Sequence, residues 1–332
     1  MLLRQIAFAG SKPGAYRSGN MTGTVKGHNQ AGVAAANPFD LGDRDTYLAW
    51  RQRKLDGYPA SPDDLLVTID DPGALTAPER QALSARCDKA NMAIYQGPSG
   101  LGEQGVLALA RQLGLRRLDR PLWTKEPGVT AIQVAQKGGR AAYIPYSNRP
   151  LSWHTDGYYN DADHQIRGMV LHCERPAMAG GESRLMDPEI AYIRLRDRDP
   201  RLIAALMRPD ALTIPANQQD EWANRPARTG PVFSLIGGRL HMRYTARRRQ
   251  VIWLDDPLVG EAVAALNDLL ASDEAAIFRL RLRSGQGLIG NNVLHNRAGF
   301  DDGDAATGGR LLYRARYCDR VTIGQDGERR TW

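Results

Sequence analysis

His154 and Asp156 stand two positions apart in the stretch LSWHTDGYYN, residues 151–160. On a β-strand, side chains at i and i+2 point to the same face. One short piece of backbone can therefore offer an imidazole and a carboxylate to a single metal ion. A third protein ligand would complete one face of an octahedron and leave three positions open. That arrangement suits non-haem Fe(II) and oxygen chemistry. The pair is a weak signal by itself. A histidine and an aspartate at a strand edge, in a polar loop, read the same way.

The other histidines are the candidates for a third ligand. His28 lies in a Gly- and Asn-rich stretch, His164 in a charged loop, and His172 and His241 inside strand-like runs. His295, in GLIGNNVLHNRAGF, follows an apolar strand and an Asn-Asn turn. A side chain leaving a core strand into a cleft is well placed to bind metal, though as an isolated residue His295 reads more readily as structural. Further on, Arg310 opens RLLYRARYC (310–318). On a strand, Arg310, Leu312 and Arg314 share one face while Leu311, Tyr313 and Ala315 share the other. A buried guanidinium without a partner is very unfavourable. An inward arginine therefore implies an anion, either a protein carboxylate or a ligand's, which it can grip with a bidentate fork.

The elements that would position these residues change character along the chain. Residues 1–60 are rich in Gly, Asn and Pro and read as an irregular arm with one short helix near 45–54. Residues 61–332 read as a single catalytic domain. Strands are expected at 65–70 and 93–97, with helices at 77–91 and 102–113. Beyond Val129 short β-like runs dominate: 130–135, 168–174, 183–187, 212–216, 231–236, 239–244, 277–282, 287–292 and 310–318. Pro and Gly turns separate them. Two helices interrupt, one over 188–196, with continuation past Pro200 to 207 left open, the other over 257–272. Many short strands favour a sandwich or barrel over a parallel βαβ sheet. The expected class is mostly β with flanking helices.

Composition narrows the function classes. With 42% hydrophobic and 24% charged residues, the 332-residue chain can bury a sizeable core. No run of eighteen apolar residues occurs, so no transmembrane helix is expected. The N-terminal apolar stretch is too short for a secretory signal. Three dispersed cysteines without a CxxC indicate neither a disulfide framework nor a structural zinc site. A cytoplasmic enzyme without membrane partners is expected. The net charge of +7 comes from scattered arginines, the densest cluster being Arg247-Arg248-Arg249. No aromatic–basic stripe accompanies it, so nucleic acid is not expected as a partner, and the charge reads equally as anionic small substrates or as an arginine-rich surface.

Taken in order, WHTD, GGES, LHNR and the RLLYR strand resemble the taurine dioxygenase (TauD/TfdA) family of Fe(II)- and 2-oxoglutarate-dependent oxygenases. The resemblance covers roughly 85–320 and includes ALARQLG (108–114), similar to the family's helix before the sheet. It implies a double-stranded β-helix, or jelly-roll, core. It implies Fe(II) held by His154, Asp156 and His295, with 2-oxoglutarate and O₂ as cosubstrates. Ser183 falls where the family has a threonine that bonds 2-oxoglutarate, and Arg310 matches the arginine on its distal carboxylate. Arg314 matches an arginine that faces the substrate, which favours a small anionic molecule. The reaction implied is hydroxylation, with fragmentation where the oxidised carbon bears a heteroatom, releasing succinate and CO₂. Further substrate-facing candidates are Trp153, Tyr158 and Tyr159, which flank the HxD and read equally well as core, and Asn148 and Arg149 on the loop leading in. Relatives commonly assemble as homo-dimers or tetramers. The chain departs from the family in the polar insertion FDDGDAATGG before Arg310 and in SNRPLSW, which replaces residues that help hold taurine. Taurine itself is therefore in doubt. Two other readings remain at this point: a metal-dependent hydrolase, which has no use for an anion clamp, and a non-catalytic jelly-roll binding protein.

Overall fold

The computed structural model describes residues 37–120, 128–135, 143–218, 224–303 and 308–322. Residues 1–36 of the expected arm, and 304–307 of the polar insertion, lie outside these. The fold is a mixed helix–sheet body. Its largest sheet has six strands, in the spatial order Leu66–Thr68, Met92–Gln96, Gln286–Gly290, Gly168–Arg175, Leu311–Tyr317 and Thr130–Ile132. A second sheet has four, in the order Ile277–Leu280, Ser183–Met186, Leu294–Arg297 and Leu151–His154. Apart from the parallel pair at one edge, both sheets are antiparallel throughout.

Alternation along the strands builds the layers. On the six-stranded sheet, Ala93, Tyr95, Val170, Ile289, Ala315 and Tyr317 turn outward and pack with Leu83, Val106 and Leu109 of the helices Ala77–Ala90 and Gly102–Gln112. The opposite face sends Ile94 and Leu288 against Leu185 and Phe278 of the four-stranded sheet. The two sheets therefore face each other across a shared core. Behind the four-stranded sheet, Trp153, Met186 and Leu294 pack with the helices Pro188–Arg198, Pro200–Leu206 and Pro257–Ala271.

Local signals explain the helix ends. Thr76 and Glu79 form a reciprocal capping box at the start of Ala77–Ala90, and Asn91 ends it in the left-handed region at φ 56°. The helix expected over 188–196 ends at Arg198, and a second helix, Pro200–Leu206, follows it. Proline supplies no N–H and disfavours helical geometry in the residue before it. Asp199 adopts extended φ/ψ, closes the first helix and caps the second through its side chain.

Residues 37–60 pack into the same body. Phe39 and Tyr47 are buried beside Tyr192, and the helix Arg44–Leu55 ends by burying Lys54. The Lys54 ammonium lies 2.6 Å from both Asp187 and Glu189. Asp187 also accepts from the Asn91 amide at 2.8 Å. Among the described residues no helix is long and apolar enough to cross a membrane. Removing one partner of a buried ion pair leaves an uncompensated charge. Lys54→Ala should lower unfolding stability by about 3–5 kcal/mol, read as the shift in a urea denaturation midpoint.

Candidate metal centre and anion-binding cleft

His295 and His154 sit directly opposite each other on adjacent antiparallel strands, Leu294–Arg297 and Leu151–His154. Facing residues of such a pair project to one side. The two imidazole centroids are 4.2 Å apart. Each ring donates its Nδ1–H to the carbonyl two residues earlier, His154 to Ser152 and His295 to Val293, both at 2.9 Å. That bond fixes the tautomer and leaves Nε2 of each ring as a free lone pair.

Asp156 lies beyond the end of its strand, so simple strand alternation does not place it. Its backbone N–H donates to Asn292 Oδ1 at 2.7 Å. Gly157 follows with φ 65°, and a Cβ there would meet the Ile166 side chain at 2.4 Å, so the turn requires glycine. Ligand atoms of His154, Asp156 and His295 all fall within 4.8 Å of one another.

The donor set fits a divalent metal. Burial and the facing His295 push the His154 imidazole down to about 3, so it stays neutral and able to ligate. Burial alone would raise the Asp156 carboxyl. Arg314 first, then Arg316 and the two histidines, reverse this and hold it well below the usual carboxylate range. Its Oδ1 accepts from Arg314 Nη1 at 3.1 Å, whereas Oδ2 is buried without a hydrogen-bond partner. A buried carboxylate oxygen with nothing on it is unfavourable unless a cation takes it up.

Ser183 and Arg310 line one cleft, between apolar walls that include Leu171 and Leu312. Ser183 pairs in register with Arg297, two positions along from the level where Leu185 faces His295. Arg310 is 8% exposed and rests on the Phe300 ring. Among the described residues no carboxylate pairs with its guanidinium. A guanidinium placed in this way can accept the carboxylate of an anionic ligand.

A second cleft opens over the triad, lined in part by Tyr158, Tyr159, Arg225, Arg247, Arg314 and Arg316. Arg314 lines it as expected but also pairs with Asp156. Tyr158 donates to Gln250 Oε1 at 2.7 Å, and Tyr159 accepts from Arg316 at 3.0 Å. Three expected substrate residues are placed elsewhere. Trp153 neighbours His154 on the strand and so points to the opposite face. It is buried in the helix-backed core, and its indole N–H donates to the Leu270 carbonyl at 3.1 Å. Asn148 and Arg149 do not line the cleft. Asn148 accepts from the Phe300 N–H through its carbonyl, and the exposed Arg149 turns to its neighbour Ser147.

Sequence reasoning missed several residues. Arg316 continues the alternation of Arg314 and was readable from RARYC. Arg225 and Arg247 carry no spacing signal. Arg297 of LHNR is buried and donates to the carbonyls of Ser147 and Arg149, bracing the loop that enters the HxD strand. Asn292 was legible only as a turn residue. Trp153→Phe should cost about 1–2 kcal/mol of stability through the lost indole bond and volume. Metal affinity, measured by anaerobic calorimetry, should stay at the wild-type level.

Residues 53–316 match the model of the taurine catabolism dioxygenase TauD, TfdA family. A uridine-5'-phosphate dioxygenase of Streptomyces sp is 31% identical over 265 residues, covering 76% of this chain and 88% of that protein. Its namesake from Amycolatopsis sp is 32% identical over 176 residues, 50% of this chain and 60% of that one. Among solved structures, asparagine oxygenase with Fe(II), 3-hydroxyasparagine and succinate aligns at TM-score 0.53 and 16% identity, over 82% of this chain and 89% of that one. The non-heme iron oxygenase OrfP with Fe and alpha-ketoglutaric acid aligns at 0.54 and 16%, over 75% and 81%. At that identity the structural likeness is one of fold, while the family match spans most of the chain. The chain belongs to the TauD/TfdA family and is an Fe(II)- and 2-oxoglutarate-dependent dioxygenase.

Proposed function

We propose that this dioxygenase acts on a small phosphate monoester, a nucleotide of the uridine-5'-phosphate kind, bound in the cleft over the triad. In this reading His154, Asp156 and His295 hold the Fe(II). Ser183 and Arg310 receive the distal carboxylate of 2-oxoglutarate. The facing sheets with the triad and clamp between them support a jelly-roll core.

One observation carries the substrate class. Four guanidinium groups line the cleft, and only two have carboxylate partners: Arg314 on Asp156 at 3.1 Å and Arg316 on Asp119 at 2.5 Å. Arg225 donates to the Pro215 carbonyl and rests on the Tyr159 ring, and Arg247 reaches the Gln250 amide oxygen. Neither has a carboxylate partner among the described residues. Two uncompensated positive charges match a phosphate monoester, which carries about −1.5 to −2 at neutral pH. The faces of Tyr158 and Tyr159 offer flat surfaces for a base. The relatives named as uridine-5'-phosphate dioxygenases support the same class.

Bound iron with 2-oxoglutarate supplies oxidation of a C–H bond by O₂, with succinate and CO₂ as co-products. The chain's own residues bind and orient. The arginines anchor the anion, and the apolar walls around Arg310 keep water from the cosubstrate. Where the hydroxylated carbon carries the phosphate ester oxygen, the product expels inorganic phosphate and leaves a carbonyl. Composition supports reading the enzyme as cytoplasmic, without nucleic-acid or membrane partners. The family resemblance supports a homo-dimer or tetramer.

The test is succinate release, above the background without substrate, from iron-loaded enzyme given uridine or its 5'-phosphate. The phosphate ester should be strongly preferred. Arg225→Ala and Arg247→Ala should each raise its KM about tenfold or more and leave the residual turnover of uridine unchanged. Equal turnover of the two compounds overturns the phosphate reading. Arg310→Gln should raise the KM for 2-oxoglutarate about tenfold or more, and His295→Ala should abolish succinate formation.

A further inference from the structure

The turn before the His295 strand holds both arms of the triad at once. Asn292 is 2% exposed and sits at φ 55°, a left-handed conformation that asparagine tolerates better than most residues. Its Oδ1 accepts the Asp156 N–H at 2.7 Å, and its Nδ2 donates to the Asp156 carbonyl at 2.9 Å and to the Ile166 carbonyl at 2.7 Å. Both polar groups of the Asp156 backbone are thus taken by one side chain 136 residues away in sequence. The next residue, Val293, accepts the Nδ1–H of His295. Asp156 has left its strand, and no ladder bond fixes its backbone.

We infer that Asn292 is a positioning residue for the metal. Its amide sets the height and direction of the Asp156 carboxylate relative to the two imidazoles. The inference rests on the reading that His154, Asp156 and His295 bind iron. A carboxylate on a free turn would sample several orientations, and ligand geometry must hold to within about 0.5 Å to be productive. A residue that orients a ligand in this way changes metal affinity by about 10–100-fold when lost. The side chain bonds the backbone of a ligand residue, and in this it differs from the residue beside it. Asn291 turns the other way. It donates to Asn91 Oδ1 at 3.1 Å and accepts the Val321 N–H at 3.0 Å, within the polar network that includes Asp187. Adjacent buried asparagines in one turn thus serve two different neighbourhoods, and Asn291 supplies the control for a role limited to folding.

The experiment is anaerobic calorimetry with Fe(II), and with Mn(II) as a redox-stable probe, on the full chain. Asn292→Gly keeps access to positive φ and removes the amide. Asn292→Asp keeps the accepting oxygen and loses both donors, and it carries the test should the glycine variant not fold. Asn291→Ala is measured beside them, with melting temperatures for all. The Asn292 variants should bind metal at least about tenfold more weakly. Asn291→Ala should bind as the wild type does while melting lower. Wild-type affinity in a folded Asn292 variant overturns the inference, as does an equal loss of affinity in Asn291→Ala. His295→Ala separates the two layers of argument. If it binds metal normally, the metal-site reading itself fails. If it loses binding while the Asn292 variants keep theirs, only the positioning role is lost.

Discussion

The register between Leu151–His154 and Leu294–Arg297 is the constraint on which the rest of the site depends. It sets two imidazoles side by side on the inner face of the four-stranded sheet. A slip of one position would turn every side chain of either strand to the other face. His154 would then enter the helix-backed core now filled by Trp153. The burial pattern therefore enforces the register without help from a ligand. The hydrophobic demand for Trp153, Met186 and Leu294 on one side delivers the histidines to the other. The pairing shifts between His295 and Arg297, so Arg297 reaches back to brace the loop that feeds the first strand.

Charge is distributed around this frame in a way that packing alone would not select. A guanidinium inside a protein is tolerated when an acid or a ligand answers it. Lys54 and Arg316 have acids at hand. The Arg310 guanidinium rests on an aromatic ring with no carboxylate on it among the described residues, while its backbone N–H donates to Asp302. Asp156 is the converse, a carboxylate with one oxygen engaged and one bare. Asp156 Oδ2 and Arg314 Nε are both buried without a hydrogen-bond partner, so the triad is one place where satisfaction is incomplete.

Much of this was legible in the sequence, for identifiable reasons. Period-two alternation in RLLYRARYC sets Arg310 and Arg314 on one face, and the structure buries Ala315 and Tyr317, which alternate with Arg314 and Arg316, against helices. Strong caps made the helices readable to within a residue or two, as at Thr76 and Asn91. Whether a helix continues past Pro200 stays open in the sequence, and the extended backbone and side-chain cap of Asp199 decide it. For Trp153 the sequence leaves substrate wall and core equally open, and the structure takes the core, because adjacent strand residues point apart. Arg225 and Arg247 reach the cleft from segments remote in sequence, and no local pattern announces an arginine whose partner is a ligand. Asn292 shows the same limit. Its turn was readable, but a contact across 136 residues belongs to the tertiary fold.

The arginines of the outer cleft also act before anything is bound. Their excess positive charge, set between low-dielectric walls, extends a field beyond the surface and draws anions inward. That reach is limited to the Debye length, about 8 Å at physiological ionic strength. Capture and grip should then respond differently to salt. Added electrolyte slows the encounter steeply, while contacts already made inside the cleft are shielded from it. For the proposed anionic substrate, the speed of encounter should follow the ionic strength around the protein, and the later chemistry should follow the register of two strands.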